Sequence, residues 1–174
     1  MKKIILITIV FLTMVFMFKK VSAEELVIPD EAIRFRILAN SNSPHDQYIK
    51  EKVKEKTQAQ IAMLLKDSKT IDEAREKLKN NIKPLKDTIK EALAEEKEEI
   101  NFDVDYGYHL FPSKEYKGIT YNEGYYESLL VTLGKGEGDN WWCVLFPPLC
   151  LIEAEESTEV EYKFFVKELI DKFF

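Results

Sequence analysis

Cysteine and histidine are the side chains of this chain that could supply nucleophilic or metal chemistry. The sequence has two cysteines, Cys143 and Cys150, and two histidines, His45 and His109. A cysteine nucleophile needs a free thiolate and a nearby imidazole, so Cys143 with His109 or His45 is the candidate pair for a thiol enzyme. Zinc binding is the other option, but neither the wide cysteine spacing nor the separated histidines are typical of zinc sites. We therefore predict no metal site and no cofactor.

Three carboxylates, Asp103, Asp105 and Glu123, could act as acid and base on a cell-wall glycan. Asp103 and Asp105 alternate with apolar residues, which equally suits the solvent face of a strand. An exported cell-wall hydrolase or thiol-dependent enzyme is therefore the alternative function. Our expectation is that the protein is not an enzyme.

Glycines at 134, 136 and 138 suggest a phosphate-binding loop. The run lacks the Gly-Lys-Ser/Thr ending of a P-loop. Its acidic residues, Glu137 and Asp139, would also repel phosphate. The pattern favours a flexible exit from a strand.

The aromatic run that follows the glycines carries the strongest functional signal. It contains both tryptophans of the chain, followed by two adjacent prolines between the two cysteines. The prolines and the cysteine pair predict a rigid loop closed by a Cys143–Cys150 disulfide. Tryptophans on such a preorganised loop lose little entropy on binding and are common binding hot spots. The alternative is that one indole and Phe146 belong to the core. Phe146 should be extended because it precedes Pro147, which is itself a candidate for a cis bond.

A polar turn, Asn40-Ser41, follows the first predicted strand and stands at a strand exit, where binding residues are common. A turn-forming role and a contact role are equally open for this pair. The predicted partner-binding residues are Asn140, Trp141, Trp142, Phe146, Pro147, Pro148, Asn40 and Ser41.

The run from Gly134 to Cys150, with its Asn-Trp-Trp-Cys and Pro-Pro-Leu-Cys segments, resembles the hallmark of the stage II sporulation protein R family. Two weaker blocks agree with it, namely Arg36–Gln47 and Gly124–Leu129. The resemblance covers about Ala32 to Cys150. It implies a secreted signalling protein of sporulation that acts between forespore and mother cell. There it would activate a membrane-embedded aspartic protease, which cuts the sigma-E precursor.

The N-terminus has the pattern of a signal peptide. Lys2 and Lys3 precede the 15-residue apolar run Ile4–Phe18, and small residues end at Ala23. Residues 1–23 are therefore a predicted signal peptide, with an uncleaved anchor as the alternative because Lys19 and Lys20 resist translocation. Residues 24–174 form one predicted extracytoplasmic domain, in which a disulfide can persist.

The composition argues against nucleic acid as a partner. The chain has 31 acidic and 25 basic residues, and four of those lysines lie in residues 1–23. An acidic domain repels phosphate backbones and anionic lipid head groups. The expected partner is a protein, and membrane contact is expected only through an uncleaved N-terminal segment.

The pattern of apolar residues predicts the elements that position these groups. Ala32–Leu38 alternates as a strand, and Ser43 caps a helix from His45 to about Lys66. Thr70 opens a second helical stretch to about Glu99, which Pro84 should kink or divide in two. Asn101–Tyr108 and Tyr126–Leu133 are further strands, with Leu110–Gly124 irregular between them.

The end of the chain predicts a short strand at Leu151–Ile152 and a last helix capped by Thr158. The overall order favours an α+β or mixed α/β fold, with a sheet of three to four strands and amphipathic helices packed on it. We expect the first two strands to be parallel neighbours. Asp103 and Asp105 would then face Arg34 and Arg36.

Overall fold

A computed structural model of the protein describes residues 31–116 and 119–148, together with the isolated positions 168, 171 and 172. The predicted signal peptide, Cys150 and the predicted strand at Leu151–Ile152 lie outside the described residues. The predicted C-terminal helix does too, apart from those three positions. Among the helices of the described part, none has both the length and the apolar character needed to cross a bilayer.

Three helices occupy the first half of the described chain: α1 (Pro44–Leu65), α2 (Ile71–Asn80) and α3 (Ile82–Glu95). The two predicted caps that lie within the described residues are present. Ser43 Oγ accepts a hydrogen bond from the Asp46 amide at 3.0 Å, and Thr70 Oγ1 accepts one from the Glu73 amide at 3.2 Å. The second helical stretch divides at Asn81, so that Pro84 lies in the first turn of α3, where proline costs no hydrogen bond.

The described residues also form six strands: β1 (Ile33–Leu38), β2 (Phe102–Phe111), β3 (Lys114–Tyr116), β4 (Ile119–Tyr121), β5 (Gly124–Leu133) and β6 (Asn140–Phe146). Four of them form one sheet in the order β2-β5-β1-β6, and β3 pairs with β4 as a separate hairpin. β1 is parallel to β5 and antiparallel to β6, and β2 is antiparallel to β5. The predicted α+β architecture is confirmed.

Two expectations about strand neighbours were wrong. β5 lies between β1 and β2, so β1 and β2 do not pair and they run in opposite directions. Asp103 and Asp105 therefore stand opposite Thr132 and Leu130 of β5 rather than beside the arginines of β1. The error arises because the central strand comes last in sequence among these three, and charge alternation alone does not specify the neighbour.

The segment from Leu110 to Gly124 is more regular than predicted. β2 continues to Phe111, and Lys114–Tyr116 pairs with Ile119–Tyr121 as the β3–β4 hairpin. Pro112 and Gly124 had suggested irregular backbone, but Pro112 directly follows the end of β2 and Gly124 is the first residue of β5.

The core lies between the helices and one face of the sheet. β1 contributes Phe35 and Ile37 to this face, and β5 contributes Leu129 and Val131; all four are 0% exposed. The helices cover them with Ile49, Val53, Ile61, Leu78, Leu85 and Ile89. We call this side the helix face, and the side that carries Arg34 and Arg36 the open face.

Candidate partner-binding site

The two tryptophans lie in strand β6, and not in a loop as predicted. Because successive strand residues point to opposite sides, Trp141 projects to the helix face and Trp142 to the open face. The register confirms this, since Trp141 stands opposite Ile37 and Trp142 opposite Arg36. The two indoles therefore have different surroundings.

Trp142 belongs to a second, aromatic core on the open face. It is 9% exposed and makes edge-to-face contacts with Phe111 and Tyr121, at centroid distances of 5.5 and 4.7 Å. Phe111 also packs edge-to-face on Tyr126 at 6.1 Å. This cluster fixes the far end of β2 and the β3–β4 hairpin to the sheet, so Trp142 is a structural residue.

Arg34 lies at the centre of this aromatic cluster. It is 1% exposed, and its Cζ is 3.2 Å from the ring centroid of Tyr126, 5.2 Å from Trp142 and 5.3 Å from Phe111. A desolvated guanidinium gains about 2 kcal/mol from such a cation–π contact. The strand alternation places Arg34 correctly on the open face, where aromatic rings pack around it, but Asp103 and Asp105 do not stand opposite it as expected.

Trp141 is the more accessible indole. It is half-buried and packs edge-to-face on Phe35 at a centroid distance of 5.7 Å. Lys54 of α1 lies 5.4 Å from the Trp141 ring and also forms an ion pair with Glu51. β6 is an edge strand of the sheet, so the outer side of Trp141 lies beside backbone that no described strand pairs with. Of the predicted set, Trp141 is therefore the best-placed candidate for contact with a partner.

The residues after the tryptophans are mainly buried. Phe146 is 1% exposed and Pro147 is buried, whereas Pro148 is half-buried. The Phe146–Pro147 bond is cis. Phe146 therefore belongs to the core, which is the alternative that the sequence left open. Because Cys150 lies outside the described residues, the Cys143–Cys150 bridge stays a prediction.

Asn40 and Ser41 join two loops. Asn40 Oδ1 accepts a hydrogen bond from the Lys135 amide at 3.0 Å, and Asn40 Nδ2 donates to Asp46 Oδ2 at 3.0 Å. Ser41 Oγ donates to the same Asp46 oxygen. The hydrogen bond from Ser41, with further bonds from Asn40 and Ser43, keeps the pKa of Asp46 below its usual value although burial opposes the shift. These contacts favour the turn-forming role for both residues.

The glycine run has no amide left for a phosphate. Gly134 and Gly136 have φ values of +55° and +66° and form the turn after β5. All six amides from Gly134 to Asp139 donate within the protein, to Asn101, Leu133, Ala39, the side-chain and backbone oxygens of Asn40, and Asn42. A phosphate loop needs these amides free, so the strand-exit interpretation is the one that the structure supports.

The structure does not bring together the cysteine and histidine of the thiol-enzyme alternative. Cys143 stands opposite Phe35 and projects to the helix face, whereas His109 stands opposite Tyr126 on the open face. His45 is exposed at the start of α1, where its Nε2 lies 2.6 Å from Glu98 Oε1. Neither imidazole therefore stands beside Cys143 as a thiol enzyme requires. Among the described residues, no group of three or more metal-ligating side chains is present either.

His109 makes contacts that sequence reasoning missed. Its Nδ1 lies 2.7 Å from Ser128 Oγ, and its Nε2 lies 2.9 Å from Asp105 Oδ2. Serine, histidine and carboxylate stand in the order of a hydrolase triad. The burial is the reverse of what that reaction needs, because Ser128 is 0% exposed and the Asp105 side chain is 65% exposed. A substrate carbonyl cannot reach Ser128 Oγ, so the cluster suits a structural link between β2 and β5.

The other carboxylates of the glycosidase alternative are also separate. Asp103 lies 3.4 Å from Lys86 of α3, and Glu123 is exposed in the turn before β5. The predicted acid pair Asp103 and Asp105 shares the open face of β2, as the alternation indicated, but each side chain has its own cationic or imidazole partner.

Comparison with known proteins identifies the family. The family model for stage II sporulation protein R matches residues 29–156. The chain belongs to the stage II sporulation protein R family. A curated family member, stage II sporulation protein R of Bacillus subtilis (strain 168), is 40% identical over 143 residues, which are 82% of this chain and 64% of that protein. The chain thus spans just under two thirds of the length of this relative. No solved structure matches the chain.

Membership in the stage II sporulation protein R family confirms the resemblance drawn from the Asn-Trp-Trp-Cys segment. The matched range includes β6 and the whole open-face aromatic cluster. The family's name links the protein to sporulation.

Proposed function

We propose that the protein is a secreted sporulation signal that activates a membrane-embedded aspartic protease and so causes processing of the sigma-E precursor. It acts in the space between forespore and mother cell and catalyses no reaction itself. Its family membership supports the role in sporulation. The observation that carries the binding mode is Trp141, a half-buried indole held at the edge of the sheet between Phe35 and Lys54.

Activation by binding requires that the protein prefers the active state of its receptor. Shifting a receptor from 1% to 99% active needs about 5.5 kcal/mol of differential affinity. One buried tryptophan anchor contributes about 2–4 kcal/mol. Trp141 is therefore a main contact, but it needs help from further contacts on the same molecule.

Coexpression tests this proposal. The full chain is produced with the candidate receptor protease and its sigma-E precursor, and precursor cleavage is followed by immunoblot. Trp141→Ala should slow processing at least tenfold, because a lost anchor of about 1.4 kcal/mol or more changes an equilibrium by that factor. Trp141→Phe, which keeps an aromatic ring against Phe35, should retain more activity than Trp141→Ala.

Met63→Ala is the matched control, because Met63 is 72% exposed on α1 and is apolar. With this variant, the protease should process the precursor at the wild-type rate. Thermal unfolding of each purified variant checks that it is folded. Wild-type processing by folded Trp141→Ala would contradict the role of Trp141, and no processing with the wild-type chain would contradict the proposed function.

The rival function is an exported hydrolase, and the His109–Ser128–Asp105 cluster is the observation that favours it. Incubation of the protein with peptidoglycan, followed by analysis of soluble products, separates the two. Release of muropeptides by wild type but not by Ser128→Ala would support the hydrolase. We expect no release from either protein.

A further inference from the structure

Three large side chains stand exposed together at one end of the sheet. Tyr108, Leu110 and Tyr125 are 69%, 48% and 70% exposed. Leu110 and Tyr125 are direct partners across β2 and β5, and Tyr108 lies two residues from Leu110 on the same side of β2. We call these three residues the Tyr108 patch. Soluble proteins seldom leave such groups of apolar side chains exposed without an interaction.

The helix layer ends just before the Tyr108 patch. Tyr106, on the same side of β2, donates a hydrogen bond to Glu127 at 2.9 Å, and Glu127 is bound by Arg75 of α2. Beyond this link the sheet continues to Phe111. The patch is therefore the uncovered extension of the helix face.

β2 is also an edge strand, and its outer backbone has no strand partner among the described residues. It is ten residues long and contains neither lysine nor proline, the residues that commonly protect an edge. A lysine protects one end of this edge. The Lys86 side chain extends from the helix face and forms an ion pair with the Asp103 carboxylate on the open face. From Asp105 to Phe111 no lysine of the described residues reaches the edge, although Arg36 Nη1 donates a hydrogen bond to the Leu110 carbonyl oxygen at 2.7 Å.

We propose that an extended segment of the receptor's extracytoplasmic region adds to β2 as a further strand along Asp105–Phe111. Backbone hydrogen bonds to the edge hold the segment, and its apolar side chains cover the Tyr108 patch. This inference rests on the proposed function and supplies the second contact that Trp141 needs. β2 and β6 are opposite edges of the sheet, so the receptor contacts the protein at two separate places.

The side chains of β2 define the chemistry of the segment. Tyr108 and Leu110 lie on one side of the strand, and Asp105, whose side chain is 65% exposed, lies on the other. A matching strand has apolar residues two positions apart, opposite Tyr108 and Leu110, and a basic residue three positions further, opposite Asp105. A second copy of this chain fits poorly, because it has the same net charge of −6. Anionic lipid is disfavoured for the same reason.

Site-specific crosslinking tests the inference. Tyr108 is replaced by the photoreactive residue p-benzoylphenylalanine in the full chain, which is coexpressed with the candidate receptor protease and its precursor. The same residue at Trp141 reports the β6 contact, and at Met63 it is the control. Irradiation should give an adduct with the protease from positions 108 and 141 but not from 63.

A second experiment measures precursor processing with the double variant Tyr108→Ser/Tyr125→Ser, and Met63→Ser is the matched control. Both changes are at exposed sites, so the thermal unfolding midpoint should stay within about 2 °C of wild type. Processing should fall at least tenfold in the double variant and remain unchanged in the control.

The outcomes separate this inference from the proposed function. If position 141 gives the protease adduct while position 108 gives none, or if 108 captures a second copy of the chain or lipid, strand addition is overturned and the function stands. Normal processing by the folded double variant also overturns it. If the wild-type chain supports no processing, the proposed function and the inference fail together.

Discussion

Arg75 and Glu127 form a two-pronged ion pair that joins helix α2 to strand β5. Arg75 Nε lies 2.7 Å from Glu127 Oε1, and Arg75 Nη2 lies 2.8 Å from Glu127 Oε2. Glu127 is 5% exposed and accepts a third hydrogen bond, from Tyr106. Burial, and then the negative charge of Glu127, raise the pKa of Tyr106, so its hydroxyl remains a donor. This network lies at the boundary between the part of β2 that the helices cover and the exposed Tyr108 patch.

Glu127→Ala should destabilise the protein by about 3 kcal/mol, because it leaves Arg75 and Tyr106 without their shared acceptor. For a chain of this size that loss lowers the melting temperature by about 6–12 °C. Thermal unfolding followed by circular dichroism measures it. Asp72→Ala is the matched control, since Asp72 also pairs with Arg75 but its side chain is 82% exposed. Equal effects of the two substitutions would contradict the importance of the buried pair.

The same pair predicts how stability depends on pH. Burial alone would raise the pKa of Glu127, but the hydrogen bonds from Arg75 and Tyr106 outweigh it and lower the pKa below the usual 4.5. The unfolded chain therefore takes up the proton at higher pH than the folded one, so acid favours unfolding. The stabilisation by Glu127 is present above pH 4.5 and is lost as the pH falls through the folded-state pKa.

Urea unfolding of wild type and Glu127→Gln between pH 7 and pH 3 measures this dependence. The difference in unfolding free energy between the two proteins should be largest at pH 7 and should shrink below about pH 4.5. A difference that stays constant over the whole range would show that Glu127 titrates normally in the folded protein.

The sequence predicted the elements well because their signals are local. Ser43 and Thr70 are caps with side-chain oxygens, and the structure shows both hydrogen bonds. The alternation of Ile33, Phe35 and Ile37 with the arginines gives the helix-face side of β1 directly. Strand order is a long-range property, however, and nothing near Asp103 or Arg34 in sequence indicates that β5 separates their strands.

The candidate site was predictable only in part for the same reason. Adjacent tryptophans had to point to opposite sides of an extended chain, but which indole was buried depended on Phe111 and Tyr121, more than twenty residues away. The Tyr108 patch was missed because the predicted strand ended at Tyr108 and Leu110 was assigned to an irregular segment, whereas β2 continues to Phe111. Only the exposure of these side chains, beyond the contact of Arg75 with Glu127, shows that the helices leave them uncovered.

Asn40→Ala should destabilise the protein by about 1–3 kcal/mol, since it removes the acceptor of the Lys135 amide and a donor to Asp46. Hydrogen exchange should become faster at the Lys135 amide, with little change in the core strand β5. Asn42→Ala, which affects only the neighbouring Asp139 amide and Gln47, is the comparison. If Asn40 is instead a receptor contact, its replacement will reduce precursor processing without any change in stability or exchange.

The two tryptophans should differ in solvent accessibility and in the loss of unfolding free energy when each is replaced by alanine. Trp141→Phe leaves Trp142 as the only indole of the chain, and Trp142→Phe leaves Trp141. Because Trp142 is 9% exposed among Phe111, Tyr121 and Arg34, its fluorescence should be quenched less by iodide than that of half-buried Trp141. Trp142→Ala should cost about 3–5 kcal/mol in unfolding free energy and Trp141→Ala clearly less. Stronger quenching of Trp142, or a larger loss of stability in Trp141→Ala, would reverse the assignment of the binding indole.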